Sequence, residues 1–269
     1  MLIDTALEAH YLDRDESLRL TSTVKGQFEL ARMQDLLGRY LPDPPAVLGD
    51  IGGGTGVHAR WLQARGYEVE LLDLMPQHVE EARAAGIDAI VGDARQLPWE
   101  DEYFDGVLLA GPLYHLPRLE DRLTAIREAT RVTRPGGFVA VVALNRTANL
   151  IGATLANELQ QREQVVRDIL DTGHTPTNDR MPETTYHSVP QLRQELSGQG
   201  LHSITIHALT GPGGWLTVAL DAHFQDLQTP STLTTPDPLQ TALLSSHLAD
   251  RYPDLVPASS QFLAVGQRA

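Results

Sequence analysis

The chain has 269 residues, 42% of them hydrophobic and 21% charged, which suits one large domain or one domain with a lid and allows a substantial core. A formal net charge of −14 and a single lysine, Lys25, work against phosphate backbones and anionic membrane surfaces, so nucleic acid is not an expected partner. The absence of cysteine excludes disulfides, cysteine nucleophiles and thiolate metal sites. No apolar run reaches the roughly 18 residues a membrane span needs, and acids near the N-terminus are out of place in a secretory signal, so the expectation is a cytoplasmic protein.

Residues 1–40 read as helical, most clearly in FELARMQDLLGRYL, where Phe28, Met33, Leu36, Leu37 and Tyr40 recur at helical spacing before PDPP stops the pattern. Strands and helices then alternate. AVLGDI (46–51) is a short apolar strand, VHARWLQAR a helix, and YEVELLDL (67–74) a second strand. PQHVEEARAAG is a helix opened by Pro76, and DAIVG (88–92) and FDGVLLA (104–110) are further strands. RLEDRLTAIREATRVT is a helix halted by RPGG, and FVAVVAL (138–144) is the fifth strand. Such alternation specifies a parallel sheet with helices on both faces, whose ligands bind beyond the carboxyl ends of the strands.

After residue 145 the rhythm changes. One or two helices (147–170) and a polar loop (171–185) precede the helix VPQLRQELSGQG and the strand LHSITIHAL. Helices are expected near 214–226 and 237–250, LQTPSTLTTPDPLQ (227–240) looks like a linker, and SQFLAVGQ (260–267) is a last strand. The expected fold is therefore α/β: a doubly wound, mostly parallel seven-stranded sheet with helices on both faces, N-terminal helices and a cap insertion. The expected division is a helical lid (1–45), an α/β core (46–145), a cap insertion (146–188) and the rest of the core (189–269) with a helical insertion at 211–258.

The stretch GDIGGGTGVHA (49–59) holds five of the chain's 22 glycines, between a strand and a helix. Glycine adopts positive φ at little cost and lets a ligand touch the main chain. The helix that follows offers free N–H groups and a positive dipole end. A plain tight turn needs fewer glycines. The dinucleotide fingerprint GxGxxG/A matches only as GTGVHA (54–59), two residues late relative to the strand end, which makes an NAD(P)-dependent dehydrogenase the weaker reading. No HExxH, GxSxG or P-loop lysine is present, so metalloprotease, α/β-hydrolase and nucleotide-triphosphatase readings fail and no metal site is expected.

VLGDIGGGTG resembles the first motif of class I S-adenosylmethionine-dependent methyltransferases, a strand, an acid and alternating glycines. Further landmarks follow in order: Asp73 ending the second strand in LLDL, Asp93 after the third in VGDARQLPW, and RVTRPGG before the fifth. The resemblance covers residues 46–145 best. It implies S-adenosyl-L-methionine as cofactor, with Gly52, Gly54 and Gly56 receiving its methionine half and Asp50 ordering the glycine loop through backbone N–H groups. It further implies Asp73 on the ribose hydroxyls, Asp93 on the adenine amine, the Ala94 N–H on a ring nitrogen, Leu74 and Met75 on the base face, and Ala110 beside the cofactor. A turn-forming or helix-capping role is the alternative for Asp73 and Asp93.

LLAGPLYHLPR (108–118) falls where this fold puts reacting groups, and Tyr114 and His115 are the candidates to orient substrate or remove its proton. For His115 the alternative is capping the next helix. In the N-terminal helices Tyr11 and Arg19 are candidate substrate contacts, Glu29 a pocket residue, and Arg32 a partner for the cofactor's carboxylate. Tyr186, His187 and Trp215 are candidates to line the substrate cavity. The resemblance thus implies a methyltransferase acting on a small molecule, at oxygen or nitrogen rather than carbon. A non-catalytic cofactor-binding protein and an RNA or protein methyltransferase are its alternatives.

Overall fold

The computed structural model describes residues 5–12, 16–178, 181–224 and 237–269. Most of the linker-like stretch 227–240 lies outside the described residues, as do residues 225–226, where a helix was expected to end. The N-terminal region forms α1 (Thr5–Leu12), α2 (Glu16–Arg19) and α3 (Val24–Leu37). The Thr23 hydroxyl caps α3 by accepting from the Gly26 N–H. The alternating region supplies β1 (Val47–Ile51), α4 (Val57–Gln63), β2 (Glu68–Asp73), α5 (Pro76–Ala84), β3 (Asp88–Val91), β4 (Phe104–Leu109), a 3₁₀ turn (Pro112–His115), α6 (Leu119–Val132) and β5 (Thr133–Leu144). There follow α7 (Ala148–Leu155), α8 (Leu159–Thr172), β6 (His174–Thr175), β7 (Thr184–Thr185), α9 (Val189–Ser197), β8 (Leu201–Ala208), α10 (Gly211–Phe224), α11 (Pro238–Ala249) and β9 (Gln261–Arg268).

Seven strands make one sheet in the order β3-β2-β1-β4-β5-β9-β8. β9 alone runs against its neighbours. Successive side chains on a strand face opposite sides, and here both sides are buried. Leu48, Leu71, Ala140 and Val142 pack under Met33, Leu36 and Leu37 of α3 and against α4 and α5. Ile51, Leu72, Val107 and Val141 pack against Ala125, Ile126 and Ala129 of α6 and Leu192 and Leu196 of α9. This two-sided burial explains why the strands read as apolar runs. None of the helices of the described residues is long and apolar enough to cross a membrane.

Two features differ from the sequence expectation. β5 begins at Thr133 rather than Phe138, because RPGG continues extended beside β4, with a register shift between Phe104 and Gly106. The polar loop also holds the short antiparallel pair β6–β7, whose two-residue strands are too brief to leave a periodic signal.

The topology puts the carboxyl ends of β1, β2, β3, β4 and β5 along one edge of the sheet. The antiparallel β9 brings its first residue to that edge, where Gln261 pairs with Leu144.

Candidate active site

A crevice opens along this edge, roofed by residues of the N-terminal helices. Its floor is the loop after β1. Gly52, Gly54 and Gly56 have φ of +77°, +56° and +82°, so the alternation in the sequence follows the alternation of left-handed positions, which side chains resist. Gly52 to Gly54 line the crevice, and Gly56 does not. A Cβ on Gly56 would lie 2.1 Å from Ile87 Cδ1, so the core itself leaves no room for a side chain there.

Asp50 also lies outside the crevice wall, fully buried beneath the loop. A Cβ on Gly53 would come within 2.7 Å of its Oδ2. Among the described residues no N–H of the glycine loop donates to either carboxylate oxygen, and the Ala59 N–H of α4 favours the charged form of Asp50. Burial, with the charge of Asp73 second, pushes its pKa up to about 7. The loop is held by Asp73 instead. Oδ2 accepts from the Gly54 N–H at 2.9 Å, and Oδ1 accepts from the Met75 N–H at 2.9 Å and lies 3.2 Å from His78 Nδ1. Asp73 therefore performs the turn-forming role while lining the crevice, and its two oxygens retain lone pairs for further donors.

Leu74, Met75, Asp93, Ala94 and Ala110 all line the crevice. The Asp93 carboxylate is gripped by Arg95 through its backbone N–H at 2.9 Å and its guanidinium at 2.6–3.1 Å. Burial alone would raise its pKa, but the hydrogen bonds from Arg95 outweigh that and hold it below the ordinary carboxylate value.

Opposite the loop stands an aromatic and imidazole cluster. Tyr11 Oη lies 2.8 Å from His115 Nε2, and the Tyr11 ring meets His78 edge-on with centroids 5.2 Å apart. Tyr114 packs edge-on against His115 at 4.6 Å. Burial lowers the His115 pKa to about 4, with the charge of His10 a secondary cause, so the imidazole is neutral near pH 7. Arg19 donates to Glu29 at 2.9 Å, and Glu29 also accepts from Gln261 Nε2 at 3.0 Å, closing the crevice between α2, α3 and β9.

A further four of the expected site residues, Arg32, His187, Tyr186 and Trp215, lie outside the crevice lining. Arg32 is fully buried away from the crevice, where it donates to the carbonyls of Ala208 and Leu209 and to Asp250 at 2.7 Å. Glu29 and Met33 of α3 face the crevice, whereas Arg32 turns toward the end of α11. His187 is fully buried 3.2 Å from Glu195, which is also bound by Arg122 at 2.9 Å. Tyr186 and Trp215 line a second cavity of about 650 Å³ beneath α7, α8 and α10, which shares Leu144 and Gln261 with the crevice lining.

Residues 49–141 match the family model of the methyltransferase domain. Over 200 residues the chain is 30% identical to an uncharacterised methyltransferase of Mycobacterium tuberculosis, spanning 71% of this chain and 80% of that one. The chain belongs to the S-adenosylmethionine-dependent methyltransferase family. Over 109 residues it is 32% identical to a demethylmenaquinone methyltransferase of a Mycobacterium species, covering 40% of this chain and 46% of that one. A solved S-adenosylmethionine-dependent methyltransferase of Methanosarcina mazei shares the fold with a TM-score of 0.58 at 16% identity, over 87% of this chain and 96% of that one.

The crevice of this methyltransferase suits its cofactor. Exposed main chain on the loop and the carboxylates of Glu29, Asp73 and Asp93 make an acceptor-rich lining, while Arg19 and Arg95 are each paired with an acid. Such a lining favours a ligand carrying a sulfonium, an ammonium and sugar hydroxyls.

His58 and His78, absent from the sequence candidates, also line the crevice. Burial, then the charge of Arg19, lowers the His58 pKa to about 4. Both histidines sit in the first turn of a helix that follows a strand, so the rule that ligands gather at this edge was the signal for them. Gln261 carried no such signal, because only the antiparallel direction of β9 brings it there.

Proposed function

We propose that this methyltransferase acts on a small molecule and transfers the methyl group to an oxygen or nitrogen that loses a proton in the step. The observation that supports this reading is the hydrogen-bonded pair of Tyr11 and neutral His115 in the crevice that holds the glycine loop. When bound, S-adenosylmethionine supplies an electrophilic methyl group on a positively charged sulfur. In this reading Gly52–Gly54 would take the methionine half, Asp73 would add the ribose hydroxyls to its backbone donors, and Asp93 and Ala94 would meet the base, with Leu74 and Met75 on its face. Arg19, lying in the crevice, takes the place expected for Arg32 beside the cofactor's carboxylate.

Alignment of nucleophile, methyl and sulfur and exclusion of water account for most of the acceleration in an in-line displacement. The N-terminal helices contribute by roofing the crevice. The chain's own part in the step would be to take up the proton that the acceptor atom sheds. Tyr11 Oη receives the acceptor's proton while passing its own to His115 Nε2, so the positive charge lost at sulfur reappears on the imidazole. A group with a low pKa is a weak base, and general-base help of this kind is worth roughly 10²–10⁴-fold at most.

The test is turnover of S-adenosylmethionine against a panel of hydroxylated and amine metabolites, with products read by mass spectrometry. Tyr11→Phe and His115→Ala should lower kcat by at least tenfold for an accepted compound and leave S-adenosylhomocysteine affinity within threefold. Binding without turnover of any compound would contradict the reading, as would unchanged kcat in both variants.

A further inference from the structure

The second cavity adjoins the crevice and has a mixed lining, in which Ala153, Val165, Ile169, Met181, Trp215 and Val218 supply an apolar part. The indole N–H of Trp215 is bound to the Ala258 carbonyl at 3.1 Å, which fixes the ring. At about 650 Å³ the space falls within the roughly 300–1,000 Å³ typical of small-molecule sites.

Two cations line it, the exposed Lys25 and the half-buried Arg162. Arg162, half-buried on α8, donates to Asn149 Oδ1 at 3.2 Å, beside the buried Tyr186. Among the described residues no carboxylate lies within ion-pair distance of its guanidinium, unlike Arg19, Arg32, Arg95 and Arg122. The other charged residues of the lining are the exposed Lys25, Asp221, and Glu158, which already has a partner. One guanidinium matches one monoanion by its planar fork. With Lys25 exposed and two acids on the same walls, a second negative charge on the ligand finds no further half-buried cation among the described lining residues.

We propose that this chamber seats the methyl acceptor, and that the acceptor is a largely apolar small molecule bearing one carboxylate, held by Arg162, with its reacting atom beside Leu144 and Gln261, which line both spaces. The assignment rests on the proposed function for the crevice and adds a substrate class to it. The carboxylate replaces water on Arg162 without leaving a buried charge unpaired, and the apolar body covers the Trp215 wall.

Calorimetry on the full chain loaded with S-adenosylhomocysteine tests this, using matched probes: naphthoate, cinnamate and indole-acetate, their primary amides, and the corresponding phosphonates. At least one acid should bind tenfold or more tightly than both its amide and its phosphonate. Arg162→Gln should abolish that preference and leave S-adenosylhomocysteine affinity within twofold. Gly152→Leu is a second variant that tolerates a side chain, because a Cβ there meets no atom within 4 Å and the residue lines the chamber. It should weaken acid binding at least tenfold, again without touching S-adenosylhomocysteine. Acids that bind no better than amides, or a preference that survives in Arg162→Gln, would overturn the proposal while leaving the crevice reading intact. Failure of the wild-type chain to bind S-adenosylhomocysteine would instead refute the crevice reading and this proposal together.

Discussion

Asparagine at position 50 isolates the electrostatics beneath the glycine loop. The Asp50 carboxylate is fully buried and stands near the like charge of Asp73, and the Ala59 N–H of α4 favours its charged form too weakly to offset them. These causes, burial first, move its pKa from 3.8 to about 7. An acid whose pKa rises on folding holds its proton more tightly in the folded chain. Its ionisation therefore costs nothing below about pH 4, reduces stability progressively between pH 4 and 7, and leaves that reduction in place above pH 7. A shift of about three units at about 1.36 kcal/mol each is on the order of 4 kcal/mol. The asparagine amide cannot ionise, and whatever its burial costs does not vary with pH. Urea unfolding of cofactor-free wild type and Asp50→Asn, followed from pH 4 to pH 8, reads the difference directly. The wild type should lose on the order of 4 kcal/mol relative to the variant across that range. Curves that stay parallel would show that Asp50 has no raised pKa, and the account of the space under the loop would be wrong.

Other positions give independent tests. Arg32→Met should destabilise the fold by roughly 2–4 kcal/mol in chemical denaturation, since it leaves two buried carbonyls without their donor and Asp250 with Arg39 alone, yet change S-adenosylmethionine affinity less than twofold. Asp73→Ala removes charged hydrogen bonds to the loop and should weaken cofactor binding by about 1.5–3 kcal/mol in calorimetry, whereas unchanged affinity would remove it from the site. Gly54→Val forces a β-branched residue to φ near +56° and should cut cofactor affinity more than 100-fold with the circular dichroism spectrum retained. The His115 ring protons, followed by NMR, should not shift between pH 5.5 and 8, because the imidazole gains its proton only as pH falls through about 4; a midpoint near 6.5 would exclude the buried geometry.

The legible parts of this protein are those fixed by neighbours in the sequence. Gly52, Gly54 and Gly56 announced the loop because each left-handed position needs its own glycine, and Pro76 announced α5 because it suits the first helical turn. Asp73 and Asp93 could be found by counting along strands. What stayed hidden depends on chain segments that meet only after folding. Helical periodicity cannot tell which partner each face of α3 will find when most faces are covered. Glu29 meets Arg19 and Gln261, while Arg32, three residues on, meets Asp250, 218 residues away. His187 had the composition of a site residue, but Glu195 and Arg122 claim it for a buried network. The same dependence governs the crevice. Its proposed proton-accepting pair joins Tyr11 to His115 across 104 residues, so the N-terminal helices must be seated before that pair exists. Chemistry at this edge is therefore coupled to lid docking, and a chain shortened to begin after α1 would keep the glycine cradle and Asp73 while losing the partner of His115. Cofactor affinity and kcat should part in such a chain, the first falling modestly and the second by tenfold or more, and equal losses in both would mean that α1 serves binding alone.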